Sequence, residues 1–193
     1  MKGNWELLLQ MTPRHGCFAM IFNGLTLTFE LLSYYHTQWK GLFVGTKEDI
    51  EKHRKENGDR VIMITRMNFI NSASAIEFCM KETLKNFQNN PLASWFQQKL
   101  KKGKHVYLRS IVKKSNKMGI INNTELDFWT CILDVRNSLV HNNGIANKTE
   151  LYNIDGIKVE FVQGQMITGQ LDFFPKITDK SVDLYASWIT KLI

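Results

Sequence analysis

The stretch from Cys131 to Gly144, "CILDVRNSLVHNNG", starts as an ordinary amphipathic helix and then sets Arg136, Asn137 and His141 where an apolar pattern should continue. Trp129, Leu133, Arg136 and Val140 recur at spacings of four, three and four, which puts a guanidinium on the same stripe as three large apolar side chains. A buried cation without a partner costs on the order of several kcal/mol, so Arg136 needs an anion, a carbonyl or a wet cleft. The helix around it reads from Thr124 as N-cap, with Asp127 as an approximate capping-box partner, to Gly144 as its stop, so His141 falls in the last turn.

Helices are expected on both sides of the chain order around this one. Thr12 and Pro13 open a long helix in which Phe18, Phe22, Leu25, Phe29, Leu32, His36 and Trp39 form a heptad-like seam, with Gly41 as its stop. His36 reads there as a packed core histidine. "TKEDIEKHRKENGD" predicts a short charged helix ended by Asn57 and Gly58. A second core helix then follows on Phe69, Ala73, Ile76, Met80, Leu84 and Phe87, with Glu77 one turn from Lys81 as an ion pair. Pro91 and Gly103 divide the next segment into two short basic helices anchored by Trp95, Phe96, Val106, Leu108 and Val112.

Beyond Gly144 the period changes to two. Ile157, Val159 and Phe161 alternate with Lys158 and Glu160, and Asp155-Gly156 marks a tight turn, predicting a small β hairpin or three-strand meander within about 150–174. Pro175 closes it, and Thr178 is expected to cap a final helix that buries Val182, Tyr185, Ile189 and Leu192. The expected fold class is mainly α: one domain over residues 1–193, a helical bundle with a small β insertion before the C-terminal helix.

With 193 residues, 44% of them hydrophobic, the chain can build a core without disulfides or metal. Cys17, Cys79 and Cys131 are far apart, lack metal-ligand spacing and sit in apolar helical stretches; they read as reduced core thiols of a cytoplasmic protein. The apolar run before Pro13 is too short for a signal peptide, and none elsewhere reaches about 18 residues, so no membrane partner is expected.

The net charge of +7 is local. Between Thr83 and Thr124 lie nine basic residues and no Asp or Glu: Lys85, Lys99, Lys101, Lys102, Lys104, Arg109, Lys113, Lys114 and Lys117. Such a block favours a polyanion, because neutralising phosphates releases counterions, although a solvated basic face has the same composition. Lys101, Lys102, Lys104, Arg109, Lys113 and Lys114 are the candidate RNA-binding residues.

Asn137 and His141 are four apart and share a helix face, whereas Arg136 lies about 140° round from His141, within reach of a long side chain. Exposed carbonyls of the last turn favour a cation beside them. Imidazole is suited to take the proton of a ribose 2′-hydroxyl or protonate a leaving oxygen, and Arg to stabilise a phosphorane-like transition state. No HExxH, Walker loop, GxGxxG or GxSxG accompanies them, so no metal or cofactor is expected. The structural alternative has Arg136 bonded to neighbouring carbonyls or to Asp134, with His141 only capping the helix.

"RNSLVH", Arg136 to His141, resembles the motif of the HEPN superfamily: Arg, four to six residues, then His, with Asn often directly after Arg. The resemblance implies an all-helical bundle with the motif late in one helix, two protomers joining their motifs in a composite cleft, and Arg136 and His141 as catalytic residues with Asn137 as polar assistant. Many members are metal-independent endoribonucleases of toxin-antitoxin, abortive-infection or CRISPR defence systems, which adds a cognate antitoxin or regulatory protein to the expected partners. Others are noncatalytic. The expected function is thus a homodimeric endoribonuclease acting on single-stranded or loop RNA; the alternatives are a noncatalytic RNA-binding or regulatory dimer of the same fold, and a scaffold whose basic block meets an acidic protein.

Overall fold

The computed structural model describes residues 40–86, 89–169 and 172–192. The expected helix from Thr12 to Trp39, with His36 and Cys17, lies outside these, as does Phe87. The described chain is mainly helical: α1 (Lys47–Asn86), α2 (Pro91–Lys101), α3 (Leu108–Lys117) and α4 (Asn123–His141), then strands β1 (Glu150–Ile154), β2 (Ile157–Phe161) and β3 (Thr168–Gly169), and finally α5 (Phe173–Leu192). No helix among the described residues is long and apolar enough to cross a membrane.

The charged segment and the second core helix are one element, contrary to expectation. Thr46 caps α1, its hydroxyl taking the Asp49 N–H at 3.2 Å and donating to the Asp49 carboxylate at 2.6 Å, and the helix then runs straight through Gly58 for 40 residues. Gly58 is buried and keeps a negative φ. A helical glycine costs about 1 kcal/mol relative to Ala, too little to break a helix whose buried stripe continues through Val61, Thr65, Phe69, Ala73, Ile76, Met80 and Leu84.

Asn90 and Pro91 start α2 as a capped N-terminus, with the Ala93 N–H donating to the Asn90 side chain at 2.7 Å. The two short basic helices fall where the breaks at Pro91 and Gly103 put them. The cap of α4 is shifted from Thr124 and Asp127 to Asn122 and Glu125, which form a reciprocal box: the Glu125 N–H donates to Asn122 Oδ1 at 2.8 Å and the Asn122 N–H to Glu125 Oε2 at 2.9 Å. Glu125 is also held by Ser187 and Lys191 of α5, which explains why this acid rather than Asp127 is used.

The β segment is an antiparallel meander in the order β1-β2-β3. Ile154 pairs with Ile157 across a two-residue turn in which Asp155 (φ 49°) and Gly156 (φ 81°) both take left-handed backbone, as a type I′ hairpin requires. Tyr152, Ile154, Ile157, Val159 and Phe161 are buried while Lys158 and Glu160 face out. The final helix begins earlier than expected. Pro175 lies in its first turn, where no N–H is needed, and Thr178 sits inside it with its hydroxyl donating to the Phe174 carbonyl at 2.7 Å. Within α5, Trp188 is fully buried and its indole N–H donates to Ser115 of α3 at 2.9 Å, which joins the two helices through the core.

Asp134 ties three elements together. Its carboxylate accepts from Arg109 of α3, from Lys148 at 2.7 Å and from the Tyr152 hydroxyl of β1 at 2.6 Å. Burial opposes its ionisation, but the bonds from Lys148 and Tyr152 and the Arg109 charge outweigh that and hold the carboxyl below its usual range. Cys79 and Cys131 are buried and unbridged, and burial together with Asp134 pushes the Cys131 thiol upward, away from thiolate chemistry.

A carboxyl with a depressed folded value stabilises the fold above its unfolded pKa of about 3.9 and ceases to as pH falls through the folded value. Asp134→Asn should therefore cost about 1–2 kcal/mol in urea unfolding near neutral pH, discounted because Arg109 and Lys148 can turn to water. The gap from wild type should narrow as pH drops below about 4; a gap independent of pH would mean that packing, not the carboxylate, is what Asp134 contributes.

Candidate active site

The buried arc of α4 runs along Trp129, Ile132, Val135 and Leu139, with Cys131 and Ser138 beside it. Leu133 lies at the edge of that arc, and Val140 is 42% exposed. The stripe that carries Arg136 therefore leaves the core along its length, and the Arg136 side chain is 23% exposed at the boundary. The guanidinium is spared full burial. Its Nη1 donates to Asn137 Oδ1 at 3.1 Å, and Nη2 stands 3.9 Å from Glu77 Oε2 on α1. The alternative pairing with Asp134 does not occur, because Arg109, Lys148 and Tyr152 occupy that carboxylate.

His141 closes α4 and is exposed. The "HNNG" end is held from several sides: the Asn142 and Gly144 N–H groups both donate to the Ser138 carbonyl, at 3.0 and 2.8 Å, and Asn143 (φ 50°) and Gly144 (φ 85°) turn left-handed. Arg66 of α1 reaches the Leu139 carbonyl at 3.4 Å, a cation at a helix C-terminus. The Ala146 N–H donates to the Gln165 carbonyl and the Ile167 N–H to that of Gly144, so the meander braces this end as well. The last turn that carries His141 is thereby anchored to both α1 and the sheet.

Arg136, Asn137 and His141 open onto one groove of about 690 Å³. Its other wall is the start of α3 and the loop before it, contributing His105, Tyr107, Arg109, Ser110 and Lys113, while Glu77 of α1 and Asn147 complete it. The three motif residues thus share a cleft despite their angular offset on the helix. Tyr107 is the N-cap of α3 and offers no side-chain cap, so the positive end of that helix also opens here.

The basic block divides. Lys113 and Arg109 line the groove, but Arg109 is engaged by Asp134. Lys101, Lys102 and Lys104 project from the end of α2 and the turn after it, all exposed, with Lys101 in a separate depression beside Ser94 and Gln98. Lys114 lies on a further surface beside Asn90 and Trp95. Lys85 pairs with Glu82, and none of the remaining seven lysines of the block has a carboxylate partner among the described residues.

Glu77, His105, Tyr107, Ser110 and Asn147 join the groove without any spacing that reveals it. The expected Glu77–Lys81 ion pair forms at 2.6 Å, but the same carboxylate also faces Arg136, which only the crossing of α1 and α4 brings about. For His105 and Tyr107 the sequence does carry a signal: they are aromatic rings inside a lysine block, the pattern of a surface that stacks bases. Among the described residues no three His, Cys, Asp or Glu side chains come together as a metal-ligand set.

Glu77→Gln should remove the negative charge facing Arg136 and tighten binding of heparin by about fourfold at low salt, an advantage that fades as salt screens it. Weaker or unchanged heparin affinity in a low-salt titration would show that anions bind elsewhere on the surface.

No protein-family model, no curated protein and no solved structure matches the chain, so its chemistry has to be read from the groove itself.

Proposed function

We propose that the protein is a metal-independent endoribonuclease of HEPN type that cuts single-stranded or loop RNA in the groove between α3 and α4. The observation that carries this reading is the convergence of Arg136, Asn137 and His141 on one cleft with Lys113 facing them. In the proposed step the 2′-oxygen attacks phosphorus, the bond to the 5′-oxygen breaks, and a 2′,3′-cyclic phosphate and a 5′-hydroxyl result. One proton leaves the 2′-hydroxyl and one arrives on the 5′-oxygen. His141, exposed on the groove, carries out one of these transfers. Arg136 shifts from its long contact with Glu77 to the equatorial phosphate oxygens, where charge grows in the transition state. Asn137, already the acceptor for Arg136, orients the guanidinium.

A homodimer completes the proposal. Val140 and Met166 are exposed beside the last turn of α4 and offer apolar contact to a second copy, which would bring two His141 imidazoles to a shared cleft for the two proton transfers. A role in toxin-antitoxin or antiviral defence, with an antitoxin or other regulatory partner, is the biological setting that the motif suggests. The noncatalytic RNA-binding dimer is the reading left standing if cleavage fails.

Incubation with total RNA in EDTA should yield fragments with 2′,3′-cyclic phosphate and 5′-hydroxyl ends, and 2′-deoxy substitution at the cut site should block cleavage. His141→Ala should lower the rate by about 10² to 10⁴ while sparing most binding. Arg136→Ala should lower it by about 10² to 10³ and weaken binding too. Lys113→Gln should cost more in cleavage than Lys101→Gln, because only Lys113 faces the groove. A folded His141→Ala protein cutting at the wild-type rate would end the catalytic assignment.

A further inference from the structure

The segment His105–Leu108, which leads from the turn after α2 into α3, alternates outward and inward: His105 and Tyr107 are exposed, while Val106 and Leu108 are buried in the core at 5% and 4%. Two apolar anchors thus hold an otherwise irregular loop in extended form and push two aromatic rings out on the same side. The rings touch, with centroids 4.5 Å apart and planes 64° apart, an edgewise contact that braces Tyr107 without covering it. Tyr107 remains 63% exposed. Most of the Tyr107 ring therefore faces water, and both rings line the same groove as Arg136, Asn137 and His141.

We infer that Tyr107, braced by His105, is a stacking platform for one unpaired nucleobase of a nucleic acid strand whose phosphate lies against Arg136 and Lys113. A base inside a duplex has both faces covered by its neighbours, so only an unpaired base can take this seat, and the platform selects single-stranded or looped substrate whatever its sequence. The aromatic face accepts any base, which makes the preference one of strand state. The inference rests on the proposed function for the identity of the strand but not for its cleavage, since stacking requires no chemistry.

The test uses a short, fluorescently labelled 2′-deoxy oligonucleotide, which cannot be cut by 2′-hydroxyl attack, so binding is measured apart from catalysis. Tyr107→Ala should weaken its binding by about tenfold or more, Tyr107→Phe should stay within about twofold of wild type, and His105→Ala should fall between them. An oligonucleotide with one abasic position scanned along it should show a position where the base loss weakens wild type by a similar factor and leaves Tyr107→Ala unaffected. That coupling could not arise from a merely structural tyrosine. Cleavage of RNA in EDTA is measured in parallel on wild type. If wild type cuts nothing but the coupling is present, the platform stands and the nuclease reading falls. If RNA is cut while Tyr107→Ala binds the oligonucleotide as tightly as wild type, or no abasic position couples to it, the platform is overturned and the nuclease reading stands.

Discussion

The Asp134 carboxylate is the constraint on which the groove depends. It draws Arg109 from α3, Lys148 from the segment after α4 and Tyr152 from β1 onto one half-buried acid, with the Lys148 ammonium also over the Tyr152 ring at 5.1 Å. Glu150 also pairs with Lys148 and accepts from the Tyr152 hydroxyl at 2.9 Å, so the contacts act as one network, and that network sets where α3 and the sheet lie relative to α4. Its side chain is 13% exposed, shielded enough for the bonds to matter and close enough to water that Arg109 and Lys148 are not fully desolvated.

This arrangement also sorts the charges. By taking Arg109 and Lys148, Asp134 is unavailable to Arg136, its neighbour two residues on, which leaves that guanidinium with one amide oxygen and a distant carboxylate. A half-satisfied cation at the rim of a cleft has capacity for an incoming anion that a tightly paired one lacks. Lys113, one turn beyond Arg109 on α3, adds charge from the opposite wall. Which groove cations stay open to an anion is therefore set by which carboxylates are already engaged, and not only by how many cations the chain carries.

Local patterns were legible where a single element decides them. The hairpin followed from Asp155-Gly156 because only residues tolerant of left-handed backbone fit a two-residue turn, and the end of α4 from "HNNG" for the same reason. Gly58 does not end α1, because it keeps right-handed backbone and lies on a continuous buried stripe whose neighbours outweigh its weak helix propensity. Thr124 does not cap α4 because neighbouring residues share its capping chemistry and the bonds that Glu125 accepts from Ser187 and Lys191 favour the box with Asn122; α5 starts at Phe173, so Thr178 lies inside it.

The mainly helical class, the meander before the last helix, the local excess of positive charge and the position of His141 in a final helical turn were all determined by the sequence itself, since periodicity, turn chemistry and caps act over a few residues. Tertiary structure alone decided that Arg136 faces Glu77 rather than Asp134, that the lysine block splits between separate surfaces, and that His105 and Tyr107 join the motif residues across a groove. Those outcomes depend on how helices distant in sequence cross and on which charge is claimed first within the core, and such contacts leave no periodic trace along the chain.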